Sequence, residues 1–157
     1  MLAKSGTKLL KPNAKDVLIK KLIPQAFVIT PNCDEAETLT GIKIKTLEDI
    51  KKAAVLIKNM STRYVVIKGG HLPNSKDSID VLYDGKTFTE FSVPRIKTQN
   101  THGTGCTFAS AIAAEIAKGA DITTAVKNAK AYLTKTIHAS ADFEIGKGCG
   151  PLNHFSL

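Results

Sequence analysis

Tryptophan is absent from this chain, and aromatic residues make up only 6% of its 157 positions. No aromatic side chains interleave with a basic patch, so the stacking platform of a single-stranded nucleic-acid binder is missing. No apolar run approaches the length that crosses a bilayer. The first residues hold no hydrophobic signal segment, and a cytoplasmic location is expected. Cysteine is scarce as well: Cys33, Cys106 and Cys149 are odd in number and far apart. They form neither a Cys-x-x-Cys pair nor a Cys/His cluster, which argues against a disulfide framework or a zinc site. Free thiols in a reducing compartment are the plain reading. Repeats and low-complexity linkers are also lacking, so the chain reads as one domain-like unit.

What is present is an ordinary globular composition, 43% hydrophobic, with a net charge of +8. A positive balance raises the question of a nucleic-acid partner. The lysines, however, are dispersed over the polar sides of expected helices, as solvated faces are. No specific nucleic acid is expected. The positive field would favour an anionic nucleotide.

The apolar pattern alternates between helix and strand periods. Asn13 can cap a helix to about Ile23, with Val17, Leu18, Leu22 and Ile23 as its stripe and Pro24 as its end. Residues 26–30, Ala-Phe-Val-Ile-Thr, read as a buried parallel strand. Asp34 to Leu39 reads as a short helix closed by Gly41. Thr46 with Asp49 resembles a capping start for a helix that turns Ile50, Ala53, Ala54 and Ile57 inward. Residues 64–67, Tyr-Val-Val-Ile, are the next strand, and a strand–helix–strand order implies parallel pairing. Residues 81–88 form a hairpin around Asp84-Gly85. A helix follows Gly105 and stops at Gly119. Asp121 caps the last one, Ile122 to about Ser140. The expected fold is α/β with a mainly parallel sheet.

One segment stands out: Asn100-Thr-His-Gly-Thr-Gly-Cys-Thr-Phe-Ala109. A polar turn with two glycines runs into an apolar helix expected to start near Cys106. The first amides of a helix have no intrahelical partners and carry the positive end of its dipole. Glycine lets the backbone approach a ligand. The turn is therefore a candidate anion site. Cys106 falls in the first turn, a position that favours thiolate. Read more blandly, a glycine turn before a helix is common, and a cysteine is often a small hydrophobe. The pattern is neither a Walker loop nor the dinucleotide fingerprint.

This decapeptide resembles the signature of the ribokinase-like small-molecule kinases. Its cysteine, where most relatives have aspartate, is that of the hydroxymethylpyrimidine/phosphomethylpyrimidine kinases of thiamin biosynthesis. Four further segments are similar to that branch, in the same order. They are Ala3-Lys-Ser-Gly-Thr-Lys-Leu-Leu10, Ile29-Thr-Pro-Asn-Cys-Asp-Glu-Ala-Glu37, Val66-Ile-Lys-Gly-Gly-His71 and Gly146-Lys-Gly-Cys-Gly-Pro-Leu-Asn-His-Phe155. The resemblance implies a ribokinase-like α/β domain whose N-terminal half, with most of the pyrimidine pocket, is missing from this chain. It implies ATP and Mg²⁺ as cofactors. Gly103, Thr104, Gly105 and Cys106 would form the anion hole, with Cys106 as catalytic base. Asn32 and Glu35 match an Asn-x-x-Glu pattern linked to magnesium, directly or through water. Lys68, Gly70, Thr98 and Asn100 would lie along the nucleotide.

Each assignment has a plainer counterpart. Asn32 can cap the following helix, with Glu35 as a first-turn acid. Gly69-Gly70 can be an ordinary turn. His71, His102 and His154 are not spaced as metal ligands. Three readings of function stay open. The chain phosphorylates hydroxymethylpyrimidine or its monophosphate with ATP. Alternatively it acts on pyridoxal or pyridoxine. Alternatively it is a non-catalytic fragment that binds nucleotide or complements another chain. Half a parallel sheet would expose an edge, so self-association or pairing with a missing N-terminal half is also expected.

Overall fold

The computed structural model describes residues 12–70, 72 and 75–155. The expectations for Ala3 to Leu10 and for His71 fall outside the described residues. The chain divides into two compact units, one up to Ser92 and one from Val93 onward.

The first unit opens with helix α1 (Pro12–Val17), which widens into a π-helical stretch, Leu18–Leu22, and ends in a 3-10 turn, Ile23–Gln25. Pro24 lies inside that turn, where its missing N–H costs least. Of the expected apolar stripe only Ile23 is buried; Val17 and Leu22 are exposed. The wider π turn changes the angular spacing that a 3.6-residue stripe depends on.

Strand β1 is short, Val28–Ile29, and half-buried rather than the five-residue buried strand expected. Helix α2 (Cys33–Thr40) follows and closes at Gly41. Helix α3 (Leu47–Lys58) begins with a full capping box, Thr46 Oγ1 accepting from the Asp49 amide and Asp49 from the Thr46 amide. Its buried residues are the four expected ones: Ile50, Ala53, Ala54 and Ile57.

Strand β2 (Tyr64–Gly69) pairs in parallel with β1, Val28 opposite Tyr64. Strand β3 (Asp77–Tyr83) pairs antiparallel with β2, Val65 opposite Tyr83. Strand β4 (Phe88–Pro94) completes the order β1-β2-β3-β4. The described sheet is therefore mixed. A helical crossover brings β2 beside β1 in parallel, whereas the short Asp84–Thr87 connection returns the chain as a hairpin. Among the described residues β1 is paired on one side only. The core of this unit lies between α2, α3 and the sheet, built from Ala36, Ile50, Ile57, Val65, Ile67 and Val81.

The second unit packs helix α4 (Thr104–Ala117) against helix α5 (Ile122–Ala139). Asp121 caps α5 through the Thr124 amide. Phe108, Ile112, Val126 and Ala129 are fully buried. The tail is irregular, but His102 and Pro151 form an isolated parallel bridge. Among the described residues, no helix is long and apolar enough to cross a membrane.

Candidate active site

In the second unit the glycine turn leads directly into helix α4. Gly103 has φ 91°, a left-handed conformation that a side chain would strain. This turn starts α4 at Thr104, two residues before the expected start. Cys106 is thus the third helical residue, with an exposed side chain. The Thr107 amide closes the first turn onto the Gly103 carbonyl at 2.9 Å. The Gly105 and Cys106 amides come too early in the helix to have i−4 acceptors, and the dipole adds positive potential there. Of the four expected donors, the Thr104 amide instead points at the Thr101 carbonyl, 3.4 Å away.

Thr98 and Asn100 direct their side chains to the end of α5. Thr98 Oγ1 donates to the Ala141 carbonyl at 3.0 Å and accepts from the Asn100 amide at 3.0 Å. Asn100 is buried, and its Nδ2 donates to the carbonyls of Ser140 (2.7 Å) and Phe143 (2.8 Å). An open cleft of about 610 Å³ adjoins Asn100, lined also by Gln99, Asp142, Phe143, Ile145 and Lys147.

In the first unit, the end of the β1–β2 ladder gathers Asn32, Glu35 and Lys68. Asn32 and Lys68 form a parallel bridge, and the Lys68 amide donates to the Pro31 carbonyl at 2.9 Å. Asn32 caps α2: its Oδ1 accepts from the Glu35 amide at 2.8 Å, and Glu35 Oε2 accepts from the Asn32 amide at 2.9 Å. The plainer capping role is therefore real. It engages Oε2 of the carboxylate, and Oε1 is the oxygen to offer a hydrated cation. Magnesium prefers oxygen ligands, keeps several waters and needs only one or two protein carboxylates. Asn32 and Glu35 fit such an ion as one carboxylate and one amide. Among the described residues no cluster of three or more His, Cys, Asp or Glu could cage a metal.

Residues 68–70 are fixed from behind by two groups that sequence reasoning left without a role. The Cys33 thiol donates to the Lys68 carbonyl at 3.4 Å. Burial, reinforced by the Asp34, Glu37 and Asp80 carboxylates, pushes that thiol up to about 11. Asp80 is buried, and its Oδ1 accepts from the Gly69 amide at 3.2 Å. A carboxylate between Ile79 and Val81 in an apolar strand was the available signal, because buried acids need partners. Gly70 sits against Ser78, whose Oγ would be 3.2 Å from an added Cβ.

Solved structures that superpose on this chain include pyridoxal and phosphomethylpyrimidine kinases. An ADP complex of Bacillus subtilis pyridoxal kinase superposes with a TM-score of 0.87 at 39% identity, covering 94% of this chain and 57% of that one. A phosphomethylpyrimidine kinase from Clostridium difficile superposes with a TM-score of 0.73 at 42% identity, covering 87% of this chain and 54% of that one. The fold is thus that of the ribokinase-like kinases. Residues 1–153 match the family model described as phosphomethylpyrimidine kinase, and the chain belongs to that family. It is 44% identical over 157 residues to the hydroxymethylpyrimidine/phosphomethylpyrimidine kinase of Bacillus subtilis, covering all of this chain and 57% of that protein. It is 46% identical to the chloroplastic thiamine biosynthetic bifunctional enzyme of Arabidopsis thaliana, covering 99% of this chain and 30% of that protein. The chain therefore spans a little over half of the first of these relatives and less of the second.

Proposed function

We propose that this chain carries the phosphoryl-transfer centre of an ATP-dependent kinase acting on hydroxymethylpyrimidine or its monophosphate, in thiamin diphosphate biosynthesis. The carrying observation is the Gly103-capped start of α4, which places Gly105 and Cys106 in its first turn, too early for i−4 acceptors within the helix. Phosphoryl transfer leaves little covalent work to the protein; it needs positioned phosphates, offset charge and an oriented nucleophile.

The Gly105 and Cys106 amides, with Gly103 at the cap, hold the transferred phosphoryl group through hydrogen bonds. They are aimed where negative charge grows, so they stabilise the transition state more than the ground state. Cys106 accepts the proton of the attacking hydroxyl, or orients that hydroxyl toward phosphorus. Lys68 places an ammonium, and Gly70 a bare backbone, against the nucleotide phosphates. Asn32 and Glu35 would hold magnesium, directly or through water. The ion, when bound, offsets charge on the phosphate oxygens. Thr98 and Asn100 contribute by shaping the loop that borders the nucleotide. Cys33, Cys106 and Cys149 are not disulfide-bonded, which suits a reducing, cytoplasmic setting.

The pyridoxal reading keeps one specific support, the closer superposition on pyridoxal kinase. A coupled assay with ATP and hydroxymethylpyrimidine, its monophosphate or pyridoxal separates the two. We expect turnover of the pyrimidines and a loss on Cys106→Ala of at least ~100-fold, the usual scale for a general base. Nucleotide affinity should stay within ~3-fold, because the cradle is backbone. Near-normal turnover in that variant refutes the role of Cys106. Preference for pyridoxal refutes the substrate.

A further inference from the structure

We propose that Asn100 and Gly150 are positioning residues that lock the C-terminal tail onto the anion-binding turn, setting the geometry of the α4 N-terminus. The inference rests on the phosphoryl-transfer reading of that turn.

Asn100 is a buried polar side chain whose bonds all run to backbone. Nδ2 ties down the Ser140 and Phe143 carbonyls, where α5 ends. Its other face meets the tail: a Cβ on Gly150 would lie 1.8 Å from Asn100 Oδ1 and 2.6 Å from Cγ. No side chain fits there, and Oδ1 cannot swing away without disturbing the Nδ2 hydrogen bonds to the Ser140, Ala141 and Phe143 carbonyls, the first of them buried. The close approach has a purpose. The Gly150 carbonyl accepts from the His102 amide at 3.0 Å, and Pro151 continues the bridge to His102. His102 immediately precedes Gly103, whose left-handed turn launches α4.

Cys149 adds a second tie one residue earlier. Its thiol donates to the Gln99 carbonyl at 3.0 Å and lies 3.6 Å from Thr101 Oγ1. Beyond the bridge, Leu152 is buried and the Asn153 amide reaches the Thr136 carbonyl at 3.4 Å. Residues 149–153 therefore act as a strap, held at both ends, with its middle bonded to the residue before Gly103. An anion cradle of backbone amides has no side chains to adjust, so its accuracy comes from what holds the backbone. Errors near 1 Å at a reacting centre cost large factors in rate.

The test is a double-mutant cycle on the full chain: unaltered, Asn100→Ala, Gly150→Ala and both together. Turnover is followed with ATP and hydroxymethylpyrimidine monophosphate, AMP-PCP binding by titration, and His102 amide exchange by NMR. Gly150→Ala should lower kcat at least ~10-fold while the KM for ATP moves less than ~3-fold, as expected when transition-state donors are misplaced. His102 exchange should quicken by ~10-fold or more as its bond to Gly150 opens. Asn100→Ala removes the obstructing atoms, so the double variant should recover part of the Gly150→Ala loss, a non-additivity confined to touching residues. Unchanged kcat and protection in Gly150→Ala overturn the proposal, as does simple additivity. If Gly150→Ala does not fold, Asn100→Ala alone decides: its kcat and His102 protection must both fall. Should the unaltered chain neither bind AMP-PCP nor transfer phosphate, the kinase reading fails. His102 exchange across the cycle then still decides the strap.

Discussion

Gly69→Ala puts the β2–β3 ladder behind Lys68 to a quantitative test. Gly69 lies opposite Ile79, and an added Cβ would come to 2.2 Å from the Ile79 carbonyl oxygen and 3.0 Å from Ile50 Cδ1. Ordinary contacts sit near ~3.5 Å, so the strands would have to part by roughly 1.3 Å. The obstructing atom is backbone within a paired ladder, and no rotamer change relieves it. Overpacking of a core costs about 1–3 kcal/mol, and this site belongs at the top of that range. The Gly69 amide bond to Asp80 is strained as well, adding about 1 kcal/mol. Relief of glycine's backbone entropy returns about 0.5–1 kcal/mol. The net loss is about 3 kcal/mol, a large part of the ~5–15 kcal/mol that keeps a domain folded. Urea unfolding followed by circular dichroism should show a midpoint shift of that size at unchanged slope. The melting temperature should fall by ~6–12 °C. Gly70→Ala is the internal control: the nearest atom to its added Cβ is the Ser78 side-chain Oγ at 3.2 Å rather than a backbone oxygen at 2.2 Å, and the cost should stay below ~1 kcal/mol. A Gly69→Ala loss under ~0.5 kcal/mol would refute the strand spacing argued here.

Two further predictions address the first unit. Glu35→Gln keeps an acceptor for the capping box, so stability should move by less than ~0.5 kcal/mol, while the magnesium concentration for half-maximal activity rises ~10-fold or more. Unchanged magnesium dependence would leave Glu35 with capping alone. Cys33 titrates from 9.0 in the unfolded chain to about 11 when folded, because burial disfavours its thiolate. The folded state then holds this proton more tightly. The resulting stabilisation is complete below pH 9 and disappears as pH rises toward 11. The stability difference between the parent and Cys33→Ala should shrink across that window. Iodoacetamide at pH 8 should modify exposed Cys106 and Cys149 well before Cys33. A widening difference, or early labelling of Cys33, would contradict its burial.

Much of the local structure was legible in residue order because its causes are local. The α3 capping box needs only Thr46 and Asp49, and the inward face of that helix follows from its 3.6-residue period. Gly41 and Gly119 close helices because each takes a left-handed φ, of 78° and 95°. The glycine turn before α4 was visible for the same reason. Other features depended on partners far along the chain. The end of α1 became a π and 3-10 stretch that leaves Leu22 exposed, which no window around Pro24 reveals. Asp80 acquires meaning only when β3 sets it against the Gly69 amide. Asn100 reads in sequence as part of a nucleotide-facing turn, yet its side chain meets Ser140 and Phe143, about forty positions on. By itself the sequence determined helices α2, α3 and α5 with their closing or capping residues, and the family, because hydrophobic period, capping chemistry and motif order are written along the chain; the expected Asn13 cap instead lies inside α1. Only the tertiary structure decided which buried polar groups hold the loops around Gly69 and Asn100. A buried donor or acceptor must find a partner wherever the fold supplies one, whatever its distance in sequence.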